Sequence, residues 1–557
     1  MLTGGDALAQ QLVLEGVSDV FGVPGVQLDW AVDGLRKVRE RIRYVVARHE
    51  QATSYMADGY ARSTGGIGVC MVVPGPGLLN AMAGLSTAYA CNSRVLCISG
   101  DIYSPVVGKG LGLLHEVRNQ SEILGSVTKW RGRAGRAEDI PALVRRAFQE
   151  LSSGRPQPVG IEIPHDMLSA TTDINLVQPV FGPGPMKPDS RAIERAADML
   201  AKAQLPVAYI GGGVMAGAAS ETLKSFAEKL QIPVVMSENA RGSISDRHPL
   251  ALNSLEGRAL FPHADLVLVI GSRFVDTAMG RPAWPSDATT RYIYLNIDPT
   301  AWDPPRRADV AIEADCKVGL EALEHACARR QPRRIDLGKV REWAGEQMRE
   351  IEPQGAWIRA LRAAIPDNGV LVNELTQVGY FARIAYPVYQ PNTFITPGYQ
   401  GTLGFGFPTA LGAAAADPGR MVVSINGDGG FGWGMQELAT ARKYDLNVAI
   451  VVFNDGHFGN VRKMQQDQFG KEFGVDLLNP KFDRLADAFD IPYERIDDPG
   501  ALEKALRGRS EMHGPILIEA RVGPMPSPWH LLRLMPPPFA SDKKVAPNPL
   551  GPAPVGR

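Results

Sequence analysis

Two acidic turns in the last third of the chain have the residue types of a metal and phosphate site. The apolar run 421–425 is followed by Gly427-Asp428-Gly429-Gly430, and the apolar run 448–453 is followed by Asn454-Asp455-Gly456-His457-Phe458-Gly459. In an open α/β sheet, ligands bind at the carboxyl ends of the strands. The 27 positions from Asp428 to Asp455 match the length of a helical crossover, so both carboxylates are expected at neighbouring strand ends.

This combination favours a hydrated divalent cation that carries phosphate. Mg²⁺ requires hard oxygen ligands and usually completes its octahedral shell with phosphate oxygens. Glycines allow backbone N–H groups to approach those phosphates. We therefore predict Asp428 and Asp455 as metal ligands and Gly427, Gly429 and Gly430 as phosphate contacts. Taken alone, a Gly-Asp-Gly sequence is equally compatible with a plain tight turn after a strand.

The elements that must position these turns indicate an α/β protein. Short β-branched runs alternate with Ala-rich stretches along the chain, which predicts doubly wound parallel sheets. Pro- and Gly-rich or basic segments at 178–189 and 329–334 divide the chain. We predict three domains, at 1–175, 190–330 and 355–530, followed by a C-terminal arm at 531–557. The predicted strands are 68–73, 95–99, 159–163, 206–210, 233–236, 266–270, 292–297, 369–372, 421–425, 448–453 and 515–521.

Composition narrows the classes of partner. The 557 residues carry a net charge of −1, so no basic field favours nucleic acid or an anionic membrane surface. The five cysteines form no C-x-x-C pair, which argues against a zinc site or a disulfide framework. No run of 18 apolar residues occurs. We expect a cytoplasmic protein whose partner is a small molecule.

The two acidic turns, with the strand and helix between them, closely resemble the thiamine diphosphate motif of the superfamily of pyruvate oxidase, acetolactate synthase and benzaldehyde lyase. In that family the second turn reads Asn-Asn, whereas this chain has Asn454-Asp455. The resemblance implies that Asp455 supplies a carboxylate where the family usually offers an amide. It also implies that His457 contributes its main-chain carbonyl and that Phe458 and Gly459 contact the coenzyme.

A second resemblance concerns the carboxylate that activates the coenzyme. The segment Arg48-His49-Glu50-Gln51-Ala52 is similar to the family's R-H-E-x-A pattern, and implies that Glu50 hydrogen-bonds the pyrimidine ring. The alternative is an acid in a first helical turn, favoured by the helix dipole. The loop Pro74–Asn80 resembles the family's S-G-P-G-x-x-N loop and supports the first interpretation, with Pro74 and Asn80 beside the coenzyme.

A third resemblance lies at 397–406. In the family, the residue at the position of Leu403 wedges between the two coenzyme rings, and the carbonyl at the position of Gly401 accepts from the 4′-amino group. The bent shape makes the activating proton transfer intramolecular. The alternative for Leu403 is an ordinary core leucine. The turn with Thr376 and Gln377 is expected near the diphosphate.

The substrate region is less sharply defined by the sequence. Val26 and Gln27 follow an F-G-x-P-G loop that resembles acetolactate synthase, while Met464 stands where that enzyme has a specificity tryptophan. His115 is a candidate acid or base, because imidazole titrates near neutrality, and the alternative is a histidine bonded at a helix start. Gln120 resembles a glutamine of benzaldehyde lyase. The segment 525–539 is predicted to fold over the site with Trp529 and His530 near substrate, unless it is simply a packed arm.

Three functions remain open on the sequence. The first is an acetolactate synthase-like decarboxylase or carboligase that acts on 2-oxo acids. The second is a lyase that cleaves a 2-hydroxyacyl-CoA, an acyloin or a diketone, and the third is an idle relative that binds the coenzyme. The resemblance implies active sites at the interface of a homodimer or homotetramer. Gly211-Gly212-Gly213, in the central domain, would hold FAD or ADP, although such a triplet is more often just a turn.

Overall fold

The chain contains three parallel sheets of six strands, each flanked by helices, as the sequence predicts. The protein is seen in a computed structural model. It describes residues 1–179, 184–276, 281–282, 284, 290–302, 307–331, 335–509, 513–534 and 545–552.

The first sheet has the strand order 2-1-3-4-6-5 when its strands are numbered along the chain. From one edge to the other its strands are Arg43–Val46, Asp19–Gly22, Gly68–Val72, Val95–Asp101, Val159–Pro164 and Trp130–Arg133. Its helices are Gly4–Leu14, Asp29–Lys37, Glu50–Thr64, Pro76–Cys91, Gln120–Gly125, Ile140–Ser152 and His165–Ser169. A small antiparallel pair joins Leu2–Thr3 to Thr171–Thr172.

The central sheet has a different order, 3-2-1-4-5-6, which is that of dinucleotide-binding folds. Its strands are Ala251–Leu252, Val234–Met236, Pro206–Ile210, Leu266–Ile270, Arg291–Asn296 and Val310–Glu313. Its helices are Ser190–Lys202, Gly213–Ala216, Ser220–Leu230, Ser254–Leu260 and Cys316–Ala326. A separate two-stranded pair is formed by Val275–Asp276 and Arg281–Pro282.

The third sheet repeats the order of the first, 2-1-3-4-6-5. Its strands are Phe394–Ile395, Val370–Asn373, Val422–Gly427, Val448–Asn454, Ile516–Arg521 and Tyr493–Ile496. Its helices are Leu337–Arg349, Gln354–Ala364, Gln377–Ala385, Gly406–Ala416, Asp428–Phe431, Leu438–Lys443, Gly459–Phe469, Phe482–Asp487 and Pro499–Arg507.

Both faces of each sheet are buried, which explains why the strands are continuous apolar runs. In the strand Gly68–Val72, for example, Val69 and Met71 pack into one apolar cluster and Cys70 and Val72 into another. Parallel strands covered by helices on both sides need apolar residues at every position. The apolar runs found in the sequence are these strands.

The strands that the sequence did not predict are mostly short or polar. Trp130–Arg133 and Tyr493–Ile496 lie at sheet edges, and each has two exposed residues among its four. Their local pattern is therefore weak. Asp19–Gly22 is fully buried but has only four residues, one of them an aspartate.

The predicted boundary segments lie partly outside the described residues. Residues 180–183, 332–334 and 535–544 are among those outside them. Within the C-terminal arm, Val545, Ala546 and Leu550 pack on the third domain. The side chain of Asn548 donates to the carbonyl of Ala259, so this part of the arm lies on the protein surface. Across the described residues, no helix has the length and apolar character needed to cross a membrane.

Candidate functional site

The predicted metal and phosphate turns line one cavity at the carboxyl edge of the third sheet. The cavity, counted with the solvent at its mouth, has a volume of about 940 Å³. It opens between the ends of the strands Val370–Asn373 and Val422–Gly427, where the strand order reverses direction. Such a reversal point is where open α/β sheets bind ligands. Predicted coenzyme and metal contacts that line it are Thr376, Gln377, Gly401, Leu403, Gly427, Asp428, Gly429, Gly430, Asp455, His457, Phe458 and Gly459.

Asp428 and Asp455 lie at the ends of adjacent paired strands, as their spacing predicts. The N–H of Gly456 donates to Oδ2 of Asp428 over 3.0 Å, so the second acidic turn touches the first carboxylate. Burial raises the pKa of Asp428 to about 6, and the nearby charge of Asp455 adds to this. Burial also raises the pKa of Asp455. Two partly buried carboxylates that disfavour each other's charge are a good environment for a cation.

The donor set fits Mg²⁺ with a diphosphate better than a metal held by protein side chains alone. Within the described part of the chain, no group of three His, Cys, Asp or Glu side chains could hold a metal ion. Two carboxylates and one carbonyl leave places for phosphate oxygens and water, which is the usual Mg²⁺ arrangement. The ring Nδ1 of His457 lies 2.7 Å from the carbonyl oxygen of Asp455. The ring is thus tied to its own turn, while its main chain remains the predicted ligand.

The turns around the cavity pack so closely that side chains would not fit. A Cβ atom on Gly430 would lie 1.7 Å from Oε1 of Glu374, and one on Gly429 would lie 2.6 Å from the ring of Phe458. Both contacts are shorter than atoms tolerate. Glycine at these positions therefore keeps the turn thin and its backbone open to a phosphate group.

The loop that carries Leu403 is held by a buried glutamate. The N–H groups of Gly404 and Gly406 donate to the two carboxylate oxygens of Glu374, over 3.2 Å and 3.0 Å. Burial raises the pKa of Glu374 to about 7. Leu403 itself is 42% exposed and lines the cavity. Leu403 is therefore not a core leucine, and its role as a wedge stays a prediction.

Glu50 lies on the first domain, where it begins the helix Glu50–Thr64. The side chain of Asn80 donates to its Oε2 over 3.0 Å, so two residues from separate predicted motifs meet. Pro74 is buried at the start of the same loop. Glu50 is not among the residues that line the cavity in the third domain. A single subunit therefore does not bring this carboxylate to its own metal turn.

The first domain also brings the predicted substrate residues together. Nδ1 of His115 lies 3.0 Å from Oε1 of Gln27, and the other end of that amide donates to the carbonyl of Leu114. His115 has a left-handed backbone, with φ of +69°, which is uncommon for a residue other than glycine. Val26 is exposed next to Gln27.

Gln120 is buried, and its amide is occupied within the chain. Its Oε1 accepts from the N–H of Gly75 over 2.8 Å, and its Nε2 donates to the carbonyl of Gly100 over 2.9 Å. It thus fixes the loop after the strand Gly68–Val72. Its predicted part in catalysis stays a prediction.

The segment after the third sheet closes one wall of the cavity. Met525 lines the cavity, and the indole of Trp529 donates to Oδ1 of Asn460 over 3.0 Å. The ring of Trp529 also packs on Tyr380 at 4.8 Å between centroids. Met464 is 38% exposed on the helix that contains Asn460 in its first turn.

His530 is not among the residues that line the cavity. It is buried, and its carbonyl accepts from Arg258 of the central domain. Residues 535–539 of the predicted covering segment lie outside the described residues.

The central sheet has its own cleft, of about 1500 Å³ open to solvent. It lies where the order of that sheet reverses, between Pro206–Ile210 and Leu266–Ile270. The triplet Gly211-Gly212-Gly213 and Gly271 line it together with several arginines, including Arg155 and Arg273. Arg155 pairs with Asp298 over 3.1 Å. Glycine turns and cations at this place are typical of a phosphate-binding cleft.

Comparison with known proteins decides the family. The thiamine pyrophosphate enzyme domains match in order, with the N-terminal TPP binding domain at 2–123, the central domain at 193–323 and the C-terminal TPP binding domain at 376–520. The chain belongs to the thiamine pyrophosphate enzyme family. The predicted coenzyme, thiamine diphosphate, and the predicted enzyme class are confirmed.

Several relatives of this thiamine diphosphate enzyme match over nearly the whole chain. A probable 2-ketoarginine decarboxylase of Pseudomonas aeruginosa is 34% identical, over 93% of this chain and 94% of its own. The large subunit of acetolactate synthase isozyme 3 of Escherichia coli is 32% identical, over 91% and 92%. A probable acetolactate synthase large subunit of Methanocaldococcus jannaschii is 30% identical, over 94% and 92%. The predicted closeness to acetolactate synthase-like proteins is confirmed.

Some residues of the site were not predicted from the sequence of this thiamine diphosphate enzyme. Glu374 lies just before Thr376 in the turn predicted near the diphosphate, and the sequence assigns no role to Glu374, Tyr380, Asn460 or Asn479. The amide of Asn479 donates to Oδ2 of Asp428 over 2.6 Å and to Oδ1 of Asn454 over 3.1 Å. It joins the two acidic turns from a segment 51 positions further along the chain. An asparagine before a proline carries no local signal for that contact.

Proposed function

We propose that this chain is a Mg²⁺-dependent enzyme of the family that decarboxylates a 2-oxo acid and, when a second carbonyl compound is bound, joins the two. The observation that carries the proposal is the cavity in which Asp428 and Asp455 face the loop of Leu403. Bound thiamine diphosphate supplies the electron sink that makes or breaks a carbon–carbon bond next to a carbonyl. The protein supplies binding, orientation and exclusion of water.

Each predicted residue takes one part in this proposal. Asp428, Asp455 and the carbonyl of His457 hold Mg²⁺, and the glycines at 427, 429, 430 and 459 admit the diphosphate. Thr376, Gln377 and Phe458 line the same end of the cavity. Leu403 and the carbonyl of Gly401 would contact the coenzyme rings and orient them. The alternative of an idle relative that only binds the coenzyme is not favoured, because the activating carboxylate and the metal ligands are all present.

Glu50 reaches the coenzyme of a second subunit in this proposal. It starts a helix on the first domain and lies outside the cavity of its own third domain. The rim of that cavity is apolar and exposed, at Leu403 and at the nearby Trp433, which is 56% exposed. A second copy that brings Glu50 and Asn80 to this rim would bury these side chains. A homodimer is thus the smallest active form, and a homotetramer is a pair of such dimers.

The 2-oxo acid is proposed from the relatives and from the residues that the partner would add. The named activities of the relatives, 2-ketoarginine decarboxylase and acetolactate synthase, both belong to 2-oxo acid chemistry. Met464 and Trp529 form the wall of one subunit, while Val26, Gln27, His115 and Gln120 would face it from the other. We assign His115 the transfer of protons to and from substrate, since Gln27 fixes its ring.

A direct assay tests this function. The purified enzyme, supplied with thiamine diphosphate and Mg²⁺, is incubated with a panel of 2-oxo acids that includes pyruvate and 5-guanidino-2-oxopentanoate. We expect release of CO₂ and either an aldehyde or a carboligation product from at least one member, and no release by Glu50→Gln. Cleavage of a 2-hydroxyacyl-CoA without turnover of any 2-oxo acid would contradict the proposal and favour the lyase.

The cleft of the central domain is proposed to hold the diphosphate group of a nucleotide, either FAD or ADP. Its support is the strand order, the paired glycine turns and the guanidinium groups of Arg155 and Arg273. The absorption spectrum of the purified protein, with chromatography of the nucleotide released on denaturation, distinguishes the two. We expect one of them in a ratio near one per chain and its loss in Arg155→Met. If the denatured protein releases neither FAD nor ADP, the proposed nucleotide site is contradicted.

A further inference from the structure

The backbone just before Glu50 is held by side chains of the third domain. The N–H of Arg48 lies 3.1 Å from both carboxylate oxygens of Glu437, and the N–H of His49 lies 3.0 Å from Oε1. Two residues earlier, the N–H of Val46 donates to the hydroxyl of Tyr444 over 2.8 Å. Three N–H groups in four residues thus bind to one segment about 390 positions away in the chain.

Glu437 is fully buried, with a relative exposure of 0%. Besides the two N–H groups, its carboxylate accepts from the hydroxyl of Thr440, which lies 2.6 Å from Oε2. The facing cation is Arg48. Burying a carboxylate is costly unless its oxygens are bonded. Here the bonds that stabilise it come largely from the N–H groups of the segment that ends at Glu50.

The position of these bonds decides where the side chain of Glu50 points. His49 is the N-cap of the helix Glu50–Thr64 and accepts from the N–H of Gln51 over 3.2 Å. Glu50 is the first helical residue, so its direction depends on the backbone of the two residues before it. A cap whose own N–H is fixed from outside the domain does not move freely with the rest of the loop.

We infer that Glu437 is a positioning residue that fixes the start of the helix from which Glu50 reaches the coenzyme. The inference deepens the proposed function, because it depends on Glu50 being the activating carboxylate. Glu437 lies nine residues after the metal ligand Asp428, so the segment 428–437 shapes the metal site of its own subunit and the carboxylate that this subunit offers to its partner.

Backbone amide exchange in the coenzyme-free enzyme tests the anchor by itself. Glu437→Ala removes the acceptor, whereas Glu437→Gln keeps one oxygen for both N–H groups and presents its amide to the hydroxyl of Thr440. We expect the amides of Arg48 and His49 to exchange at least about 10-fold faster in Glu437→Ala and to stay protected in Glu437→Gln. Glu256→Ala is the matched control, because Glu256 is a buried carboxylate that accepts the N–H of Asn253 in the central domain.

Exchange of the C2 proton of bound thiamine diphosphate tests the consequence. A displacement of about 1 Å at a reacting group costs on the order of 100-fold in rate, so Glu437→Ala is expected to slow this exchange by about 100-fold. Glu437→Gln should restore it to within a few-fold. In a Glu50→Gln background, Glu437→Ala should have no further effect, because the group through which it acts is already lost.

The outcomes separate this inference from the proposed function. Slow exchange of the C2 proton in the unmodified enzyme would overturn the proposed function. The amide exchange of Arg48 and His49 would still test whether Glu437 anchors this backbone. Unchanged protection of Arg48 and His49 in Glu437→Ala, or an equal loss of C2 exchange with and without the Glu50→Gln change, would overturn the inference. If Glu437→Ala does not fold, Glu437→Asp, which shortens the reach, replaces it and is expected to show the same losses.

Discussion

The outer two domains and the central domain differ in strand order, and this difference separates two binding sites. The outer sheets share the order 2-1-3-4-6-5, and the central sheet has 3-2-1-4-5-6. In the central and third domains, the crevice lies where the order reverses. The residues that line the crevices differ, since the third domain offers acids at Asp428 and Asp455, whereas the central crevice is lined by Arg155 of the first domain and by Arg273.

Under the proposed function, the charge at each reversal point indicates how a phosphate group would be held there. Carboxylates bind phosphate only through a cation, whereas guanidinium groups bind it directly. Coenzyme chemistry is expected to respond to changes in the outer domains and to remain almost unaffected by changes in the central one. Substitutions in both kinds of domain test this division of labour.

The largest expected effect is that of Glu50→Gln on catalysis. Gln keeps the size of the side chain but cannot exchange a proton with the pyrimidine ring. Turnover should therefore fall by about 1000-fold. Coenzyme affinity should change little, since the diphosphate carries it. Steady-state kinetics and coenzyme titration measure the two quantities. A large loss of affinity with intact turnover at saturation would contradict the assignment.

Asp428→Ala is expected to act on binding. Loss of this ligand should weaken the joint binding of Mg²⁺ and thiamine diphosphate by about 100-fold. Calorimetric titration of the coenzyme at fixed Mg²⁺ measures it. The structural control is circular dichroism of the unliganded variant, which should match that of the parent. Unchanged affinity would remove Asp428 from the metal site.

Leu403→Ala is expected to lower turnover by about 10-fold while the coenzyme stays bound. The leucine is exposed to the cavity, and its loss lets the two rings relax from the bent shape that brings the reacting groups together. Turnover at saturating coenzyme, measured together with coenzyme affinity, separates this effect from a binding defect. Leu403→Met, which retains the bulk, should recover most of the activity.

A change in the central domain should alter stability but not coenzyme chemistry. Burial raises the pKa of Glu256 to about 7 from its ordinary value of 4.5. The folded state therefore holds the proton more tightly, and this group lowers stability as pH rises between these two values. Glu256→Gln keeps the capping acceptor and removes that loss, which is at most about 3 kcal/mol. Its Tm should equal that of the parent near pH 4.5 and exceed it by several degrees at pH 8, with coenzyme affinity unchanged.

Asp455→Asn should have the smallest effect. It restores the Asn-Asn turn of the wider family, and an amide oxygen is still a hard ligand. We expect affinity for Mg²⁺ and coenzyme to stay within about 3-fold, as measured by the same titration. A loss as large as that of Asp428→Ala would show that this chain depends on the second charge.

Local patterns were enough to predict the longer apolar strands and the turns after the two strands that precede Asp428 and Asp455. The runs before Asp428 and Asp455 are mostly apolar because helices cover both faces of the sheet, and their spacing reveals the crossover between them. Positions where a Cβ atom would clash, such as Gly430, can be recognised in the sequence because they are glycines. These features depend on neighbours in the chain.

The contacts that hold the site together depend on distant residues and left no local pattern. Glu374 accepts from Gly404, which lies 30 positions away, and Asn479 reaches Asp428 from 51 positions away. A buried glutamate or asparagine looks the same in a sequence as a solvated one. Such residues could be found only after folding showed which backbone N–H groups and carboxylates they face.

The close packing around Glu374 has a practical consequence for redesign of the substrate range. Gly404, Gly406 and Gly430 leave no room for a Cβ beside this carboxyl or its loop, so libraries that vary them would consist mostly of inactive proteins. Val461 and Met464 are exposed on the helix beside the cavity and are therefore expected to accept larger and smaller side chains. Saturation of these two positions is the more productive starting point for a search for new specificities.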